Sequence, residues 1–178
     1  MSVGLRAGIG YDAHRFLESG GRLVLGGVEV PGEPGLAGHS DADVVAHALA
    51  DALLGAAGLG DIGDHFPDDD PRWADADSIE LLGQVVALLA GQGWRAVNAD
   101  LTVLAERPRL GPLKQAMGER LAGALRIEPA EVNVKATTNE GMGFIGRAEG
   151  IRWRAIRPTR RLPSTVLSES RVTPMRTS

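Results

Sequence analysis

An acidic residue and a histidine lie two positions apart near the start of the chain, within GYDAHRF (residues 10–16). This stretch is typical of a strand, in which every second side chain points to the same face. Asp12 and His14 therefore share one face, and Ala13 lies on the other. Such a pair is either a surface ion pair or two ligands of a metal site.

Three more titratable residues recur at a spacing of four in HSDADVVAHALAD, residues 39–51. Asp43, His47 and Asp51 thus stack along one face of a predicted helix. By spacing alone, a solvated polar face explains them better than a functional site does. A single histidine on a helix is also more often a surface or core residue than a metal ligand.

The sharper interpretation combines this helix with the strand before it. Asp12, His14 and His47 together offer one carboxylate and two imidazoles, a set that leaves a zinc ion with an open fourth position, as catalytic zinc sites do. Asp43 or Asp51 would then orient His47 through the ring nitrogen that does not face the ion. The sequence contains no cysteine, so any metal must be held by histidines and carboxylates.

Two glycine-rich segments carry polar groups that suit a phosphorylated ligand. Residues 137–147 (TTNEGMGFIGR) combine hydroxyls, glycines and Arg147, which suit phosphate. Glu140 fits beside phosphate only if a divalent ion such as magnesium bridges the two, and a ligand-free hairpin loop explains the segment equally well. Residues 59–70 (LGDIGDHFPDDD) suit a polyol, a cation or plain solvation, and His65 in this loop has no partner that the sequence assigns.

Length, charge and composition narrow the class of protein. The chain has 178 residues, enough for one domain with a core, and no apolar run approaches the roughly 20 residues of a membrane span. No secretory signal layout is seen, so we expect a cytoplasmic protein. Residues 1–156 carry 14 basic and 22 acidic residues, a balance that argues against nucleic-acid binding. Residues 158–178, basic and rich in Ser, Thr and Pro, are predicted to be a disordered tail.

Periodicity and breaker residues predict the elements that must position these side chains. Strands are expected at residues 5–13, 22–30 (a hairpin turning at Gly26 and Gly27), 96–104, 132–138 and 151–156. The first helix is expected to run from a Ser40 cap to Gly58, with Asp43 completing a capping box. A loop over 58–71 follows. Two further helices are expected at residues 77–91 and from Pro112 to Arg126. The alternation predicts an α/β fold, an α+β two-layer sandwich in which three helices cover one face of a mixed four- to five-stranded sheet.

Several motifs are together recognisable as those of one family: GYDAH, LGG, HSDADVVAHALADALLGAAGLGDIGDHFPD, AERPRL and NVKATTNEGMGFIGRAEGI. From about residue 5 to 157 the chain resembles the 2-C-methyl-D-erythritol 2,4-cyclodiphosphate synthases of the non-mevalonate isoprenoid pathway. The resemblance implies a phosphorus–oxygen lyase whose catalytic domain spans residues 1–157. Such an enzyme cyclises 4-diphosphocytidyl-2-C-methyl-D-erythritol 2-phosphate, as the 2-phosphate attacks the outer phosphorus of the diphosphate and CMP leaves.

The resemblance further implies a homotrimer, with the three sheets around the threefold axis and each active site between neighbouring subunits. It also assigns metals and catalytic groups. Zinc would be bound by Asp12, His14 and His47, and a second divalent ion, magnesium or manganese, by Glu140. The transition state would be stabilised by His39 and Thr138.

The substrate contacts that the resemblance implies fall into a phosphate and methylerythritol group at 12–68 and a nucleotide group at 105–147. They are Asp12, His14, His39, Ser40, Asp61, Ile62, Gly63, Phe66, Asp68, Ala105, Pro108, Arg109, Leu110, Thr137, Thr138, Glu140, Phe144 and Arg147. Ala42 and Ala148 stand where the family often has glycine, and both are expected to be neutral.

Two other functions are compatible with the same residues. A zinc-dependent phosphohydrolase would keep the metal and use a metal-bound hydroxide on a nucleotide. A trimeric binding protein would keep the His and Asp residues without catalysing a reaction. The products formed from the substrate distinguish all three.

Overall fold

The structure, a computed structural model, describes residues 4–161. Its strands are β1 (Leu5–Arg15), β2 (Leu23–Leu25), β3 (Val28–Val30), β4 (Trp94–Ala96), β5 (Ala99–Leu104), β6 (Val132–Thr137) and β7 (Gly150–Arg161). Its α-helices are α1 (Val44–Ala57), α2 (Ile62–His65), α3 (Ser78–Gly91), α4 (Lys114–Leu125) and α5 (Gly143–Gly146). Short 3₁₀ turns lie at Pro71–Trp73, Gly111–Leu113 and Pro129–Glu131.

One mixed sheet of five strands organises the fold, as the sequence predicted. Its order is β1-β7-β5-β6, with β4 pairing to the end of β7. β5 and β6 run parallel, whereas β7 is antiparallel to β1, β4 and β5. α1 packs on β1 and β7, α3 packs on α1, and α4 packs on α3 and β6. The core therefore lies between the sheet and these helices, where Leu49, Leu53, Leu82, Leu101 and Leu121 are fully buried.

Two glycines let β1 run unusually close to α1. A Cβ atom at Gly10 would lie 1.8 Å from the carbonyl oxygen of Ala48, and one at Gly8 would lie 1.9 Å from that of Ala52. Both neighbours are backbone atoms of a helix, so they cannot move aside. Only glycine permits this approach.

The alternation of β1 then decides what faces the helix. Asp12 and His14 follow Gly8 and Gly10 on the same face, so they point towards α1 and its His47. The opposite face of the strand carries Ile9 and Tyr11, which are 55% and 50% exposed.

The start of α1 differs from the prediction. Ser40 is not its cap; the helix begins at Val44, and the buried Asp43 is the N-cap residue. The Asp43 carboxylate accepts hydrogen bonds from the backbone N–H groups of Val45 and Ala46 at 3.0 and 3.2 Å. It also accepts from the two glycines of the β2–β3 turn, at 2.8 and 2.6 Å. Asp43 therefore caps the helix and fastens the hairpin to it.

Most other predicted boundaries are confirmed, with three corrections. Gly58 caps the end of α1 in the left-handed region, α3 spans 78–91, and α4 ends at Leu125 with Arg126 as its C-cap residue. The predicted strand 96–104 is β5 at Ala99–Leu104, preceded by the separate short strand β4 at Trp94–Ala96. The predicted loop 58–71 contains the short helix α2. Residues 137–147 are not a hairpin loop, because β5 lies between β6 and β7 in the sheet.

Ala42 and Ala148 are not neutral replacements. Their φ angles are 55° and 54°, in the left-handed region that favours glycine. A side chain in this region brings Cβ too close to the following carbonyl oxygen, at roughly 1–2 kcal/mol per residue. Both alanines therefore carry backbone strain.

β7 continues through Arg161, so residues 158–161 are strand although they fall in the segment predicted as tail. The remainder of that segment, 162–178, lies outside the described residues, and its disorder stays a prediction. Among residues 4–161, no helix has both the length and the apolar character needed to cross a membrane.

Candidate metal centre

Asp12, His14 and His47, called the triad below, converge as the sequence predicted. Asp12 Oδ2 lies 3.0 Å from His14 Nε2 and 3.2 Å from His47 Nδ1. One ligand atom from each residue lies within 4.8 Å of the other two, which is close enough for one ion to bind all three. The three side chains are only partly buried, so the site stays open on one side.

The triad is electrostatically coupled. Burial by itself would raise the pKa of Asp12, but the hydrogen bonds with His14 and His47 hold that pKa well below its usual range. The same hydrogen bond with Asp12 raises the pKa of His14 above 6.5, against the opposing effect of burial. A carboxylate that stays ionised between two imidazoles is ready to bind a cation together with them.

The ring nitrogen of His14 that points away from the triad, Nδ1, is hydrogen-bonded to the backbone. His14 Nδ1 donates to the carbonyl oxygen of Ala37 at 2.5 Å. This contact fixes the ring so that Nε2 points at Asp12 and at the space between the three ligands. A histidine held in this way is typical of metal ligands.

The outer nitrogen of His47 contacts two hydroxyls instead of a carboxylate. Its Nε2 lies 3.0 Å from Ser40 Oγ and 2.9 Å from Ser78 Oγ. The expectation that Asp43 or Asp51 orients His47 is wrong. Asp43 caps α1, and Asp51 Oδ1 accepts from the backbone N–H of Ile62 at 2.8 Å, while burial raises the Asp51 pKa.

A cavity of about 250 Å³ opens beside the triad. We call it the triad cavity; the predicted site residues that line it are Asp12, His14, His39, Ser40, His47, Ile62, Gly63, Phe66 and Asp68. Trp73 and Leu81 add an apolar wall, and the Phe66 ring meets the Trp73 ring edge-on at 5.1 Å between centroids. The cavity thus combines a cation site with polar and apolar surfaces.

Three residues of this region have other local roles. Asp61 caps α2 through a hydrogen bond from the Asp64 N–H at 3.1 Å and lies outside the lining of the triad cavity. His39 Nε2 donates to the carbonyl of Asp70 at 3.2 Å. His65, whose partner could not be assigned from the sequence, donates to the carbonyl of Leu59 at 2.8 Å.

A second cavity of about 480 Å³ lies between the segment 105–112 and the end of β6, and we call it the loop cavity. The predicted site residues that line it are Ala105, Pro108, Arg109, Leu110, Thr137 and Thr138. The loop cavity shares no lining residue with the triad cavity. The two groups of predicted substrate contacts therefore lie in two separate places on one chain.

The remaining predicted residues follow β6 along the chain: Glu140 lies on an exposed turn, Phe144 lies in α5, and Arg147 follows the end of α5. Thr138 Oγ1 donates to Glu140 Oε1 at 2.7 Å. Arg147 pairs with Glu149 at 2.5 Å, and the Phe144 ring is 41% exposed. None of Glu140, Phe144 and Arg147 lines the two cavities described above.

Three contact residues were missed from the sequence. Ser78 and Asp41 lie behind His47, where Ser78 Oγ donates to Asp41 Oδ1. Glu106 accepts from the backbone N–H groups of Asn139 and Gly141 at 2.9 and 3.3 Å, which ties the loop cavity to the turn that carries Glu140. Glu106 could have been noticed inside AERPRL, but Ser78 looks like an ordinary residue at a helix start.

Comparison with known proteins agrees with the geometry. The model of the YgbB family matches residues 5–157. A 2-C-methyl-D-erythritol 2,4-cyclodiphosphate synthase from Symbiobacterium thermophilum is 63% identical over 144 residues, which cover 81% of this chain and 91% of that protein.

Two solved structures have the same fold. The bifunctional IspDF from Campylobacter jejuni superposes with a TM-score of 0.87 at 43% identity, over 92% of this chain and 44% of that chain. The chain thus spans less than half of that bifunctional enzyme. An IspF from Plasmodium falciparum, solved as a CDP complex, has a TM-score of 0.78 at 29% identity, over 90% of this chain and 98% of that chain.

Proposed function

This chain belongs to the YgbB family, and from that premise we propose that it converts 4-diphosphocytidyl-2-C-methyl-D-erythritol 2-phosphate into 2-C-methyl-D-erythritol 2,4-cyclodiphosphate. An oxygen of the 2-phosphate forms a bond to the outer phosphorus of the diphosphate. The bond from that phosphorus to the bridging oxygen breaks, and CMP leaves. The observation that carries the proposal is the convergence of Asp12, His14 and His47 beside a cavity.

The triad is the site for zinc in this proposal. One carboxylate and two imidazoles suit zinc and leave its fourth position free. The ion would polarise a phosphate oxygen and offset the charge of the diphosphate. Glu140, on the exposed turn after β6, is the proposed ligand of a second ion, magnesium or manganese, because carboxylates suit these ions.

The protein itself supplies position and charge. Two phosphates repel each other, so holding them in line accounts for most of the rate enhancement in phosphoryl transfer. Ser40 and His39 line the triad cavity and are the proposed phosphate contacts there. Thr138 lines the loop cavity, and Arg147, which lines neither cavity, is a further proposed contact on the nucleotide side. The nucleophile belongs to the substrate, so no strong base of the protein is needed.

The separation of the two cavities supports a homotrimer with its sheets around a threefold axis. Ile9, Tyr11 and the 67% exposed Leu5 give β1 an apolar outer face, on which Arg152 lies 4.7 Å over the Tyr11 ring. A second copy packed on this face would bury it. The loop cavity of one copy would then complete the triad cavity of its neighbour.

The proposal extends to the whole chain. We place the catalytic domain at 1–157, with three helices covering one face of the sheet, and β7 continues beyond this boundary through Arg161. We further propose a cytoplasmic enzyme whose ligand is a cytidine diphosphate compound, without nucleic-acid or membrane partners.

Product analysis tests the proposal. With substrate, zinc and magnesium, we expect equimolar CMP and a cyclic diphosphate, identified by phosphorus NMR. An open-chain phosphate as the product would instead identify a phosphohydrolase. No CMP at all would identify a binding protein.

A further inference from the structure

We infer that Ser78, backed by Asp41, is the positioning residue that orients His47 towards the cation, and that the second hydroxyl near His47, that of Ser40, does not have this role. The inference rests on the proposed function in one respect only, that the triad binds a metal ion. Nothing in the motif around His47 assigns this role to a residue at the start of α3.

The geometry identifies which nitrogen of His47 needs a partner. Nδ1 faces Asp12 Oδ2 at 3.2 Å, so Nδ1 is the ligand atom for an ion bound by the triad. Nε2 then carries the only N–H of the neutral ring. Two hydroxyls, Ser40 Oγ at 3.0 Å and Ser78 Oγ at 2.9 Å, are within reach of this single donor.

The two hydroxyls differ in burial and in what holds them. Ser78 is 1% exposed, and its own hydroxyl donates to Asp41 Oδ1. Its backbone N–H also donates to Asp41 Oδ2 at 3.2 Å. Because the Ser78 proton is committed to Asp41, the lone pairs of Oγ remain for the N–H of His47.

Asp41 is itself fixed in place. Its backbone N–H donates to the carbonyl of Ala76 at 3.1 Å, and its Oδ1 accepts from the Asp43 N–H at 3.2 Å. Both contacts belong to the chain entering α1 and α3. In the chain of hydrogen bonds from His47 through Ser78 to Asp41, the fold therefore determines which group donates at each step.

Ser40 has the opposite character. It lines the triad cavity and is half-buried, and within residues 4–161 the only backbone donor to its Oγ is the Ala42 N–H at a long 3.3 Å. Its hydroxyl proton is not committed to a carboxylate in the described residues. Ser40 can therefore rotate towards a phosphate oxygen in the cavity while Ser78 keeps His47 in place.

Zinc affinity measured by chelator competition on the full chain tests this assignment. Removal of an outer hydrogen bond to a ligating histidine typically weakens metal binding 10–100-fold, and we expect that loss for Ser78→Ala. Ser40→Ala is the matched control, since it removes the other hydroxyl on the same nitrogen. We expect its zinc affinity to stay at the wild-type value and its KM for substrate to rise.

Two further variants keep the outcome clear. Asp41→Asn retains an acceptor for the Ser78 hydroxyl but loses the negative charge. It should therefore weaken zinc binding, but less than Ser78→Ala does. The same variant tests the inference if Ser78→Ala does not fold. Wild-type zinc affinity in both would overturn the inference, as would an equal loss in Ser40→Ala. His47→Ala separates the two proposals: if it retains zinc, the metal site itself is wrong.

Discussion

The triad cavity and the loop cavity are built by different means. The triad is carried by β1 and α1, two long elements held in contact through Gly8 and Gly10. The loop cavity lies between the segment 105–112 and the end of β6, and it is more open to solvent. Ion binding demands ligands fixed to a few tenths of an ångström, whereas a nucleotide pocket can close on its ligand. All three candidate ligands of the cation site therefore come from one chain, whereas in the proposed trimer a neighbour would complete the loop cavity.

The largest effect is expected when a ligand of the triad is removed. His47→Ala should lose zinc and lower kcat at least roughly 10³-fold, because the metal contributes several kcal/mol to the transition state. The fold should survive, since the His47 side chain is not part of the apolar core. Zinc content, thermal melting and CMP release measure the three outcomes.

Arg109→Ala, in the loop cavity, is the counterpart. It should retain zinc and raise KM roughly tenfold or more, the usual effect of losing a hydrogen bond to a charged group. If the two variants behaved alike, the division into two cavities would be wrong.

A methyl group between β1 and α1 should damage the triad cavity selectively. Gly10→Ala places Cβ 1.8 Å from the Ala48 carbonyl oxygen, so we expect a loss of about 3 kcal/mol or more in the free energy of unfolding, together with weaker zinc binding. CDP binding to the loop cavity of the folded fraction should change little.

Gly55→Ala in α1 is its control, because a Cβ there meets nothing within 4 Å. It should stabilise the protein by about 0.5–1 kcal/mol in urea unfolding. A Gly10→Ala protein as stable as this control would refute the close approach of β1 to α1.

pH should affect the two cavities differently. His14 has a raised pKa, so below that pKa zinc must displace a proton from Nε2, while Asp12 stays ionised because its pKa is lowered. Zinc affinity should therefore fall about tenfold for each pH unit below the raised pKa of His14. Titration calorimetry at several pH values measures this slope. The affinity for CDP in the absence of metal should not change with pH in this way. A zinc affinity that stays constant from pH 8 to 5 would contradict the raised pKa of His14.

The smallest effects concern the two strained alanines, Ala42 and Ala148. Ala148→Gly should stabilise the protein by about 1 kcal/mol, because it relieves a left-handed residue that is only half-buried. Ala42→Gly should gain less, since the buried Ala42 methyl contributes about 0.8 kcal/mol that glycine gives up. Equal stabilisation in both, measured by urea unfolding, would show that burial does not offset the strain at Ala42.

Local patterns predicted much of this fold because the relevant forces act over a few residues. The strand period places Asp12 and His14 on one face, and Gly58 ends α1 where the helical pattern ends. The start of α1 could not be decided in the same way. Ser40, Asp41 and Asp43 are all suitable cap residues, and only the contact of Asp43 with the β2–β3 turn selects one.

The partners of His47 depend on contacts between distant segments. Ser78 reaches this ring because α3 packs on α1, across 31 residues of sequence. No periodicity within either helix contains that information. The left-handed backbone of Ala42 is hidden for the same reason, since an alanine gives no local indication of positive φ.

The most direct test of the account is a crystal structure of the zinc-loaded protein with CDP, analysed by anomalous scattering at the zinc edge. We expect a zinc peak about 2.0–2.2 Å from an Asp12 carboxylate oxygen, His14 Nε2 and His47 Nδ1. The fourth position should hold a phosphate oxygen or water in the triad cavity. A zinc ion bound elsewhere, or one closed off by a fourth protein ligand, would contradict it.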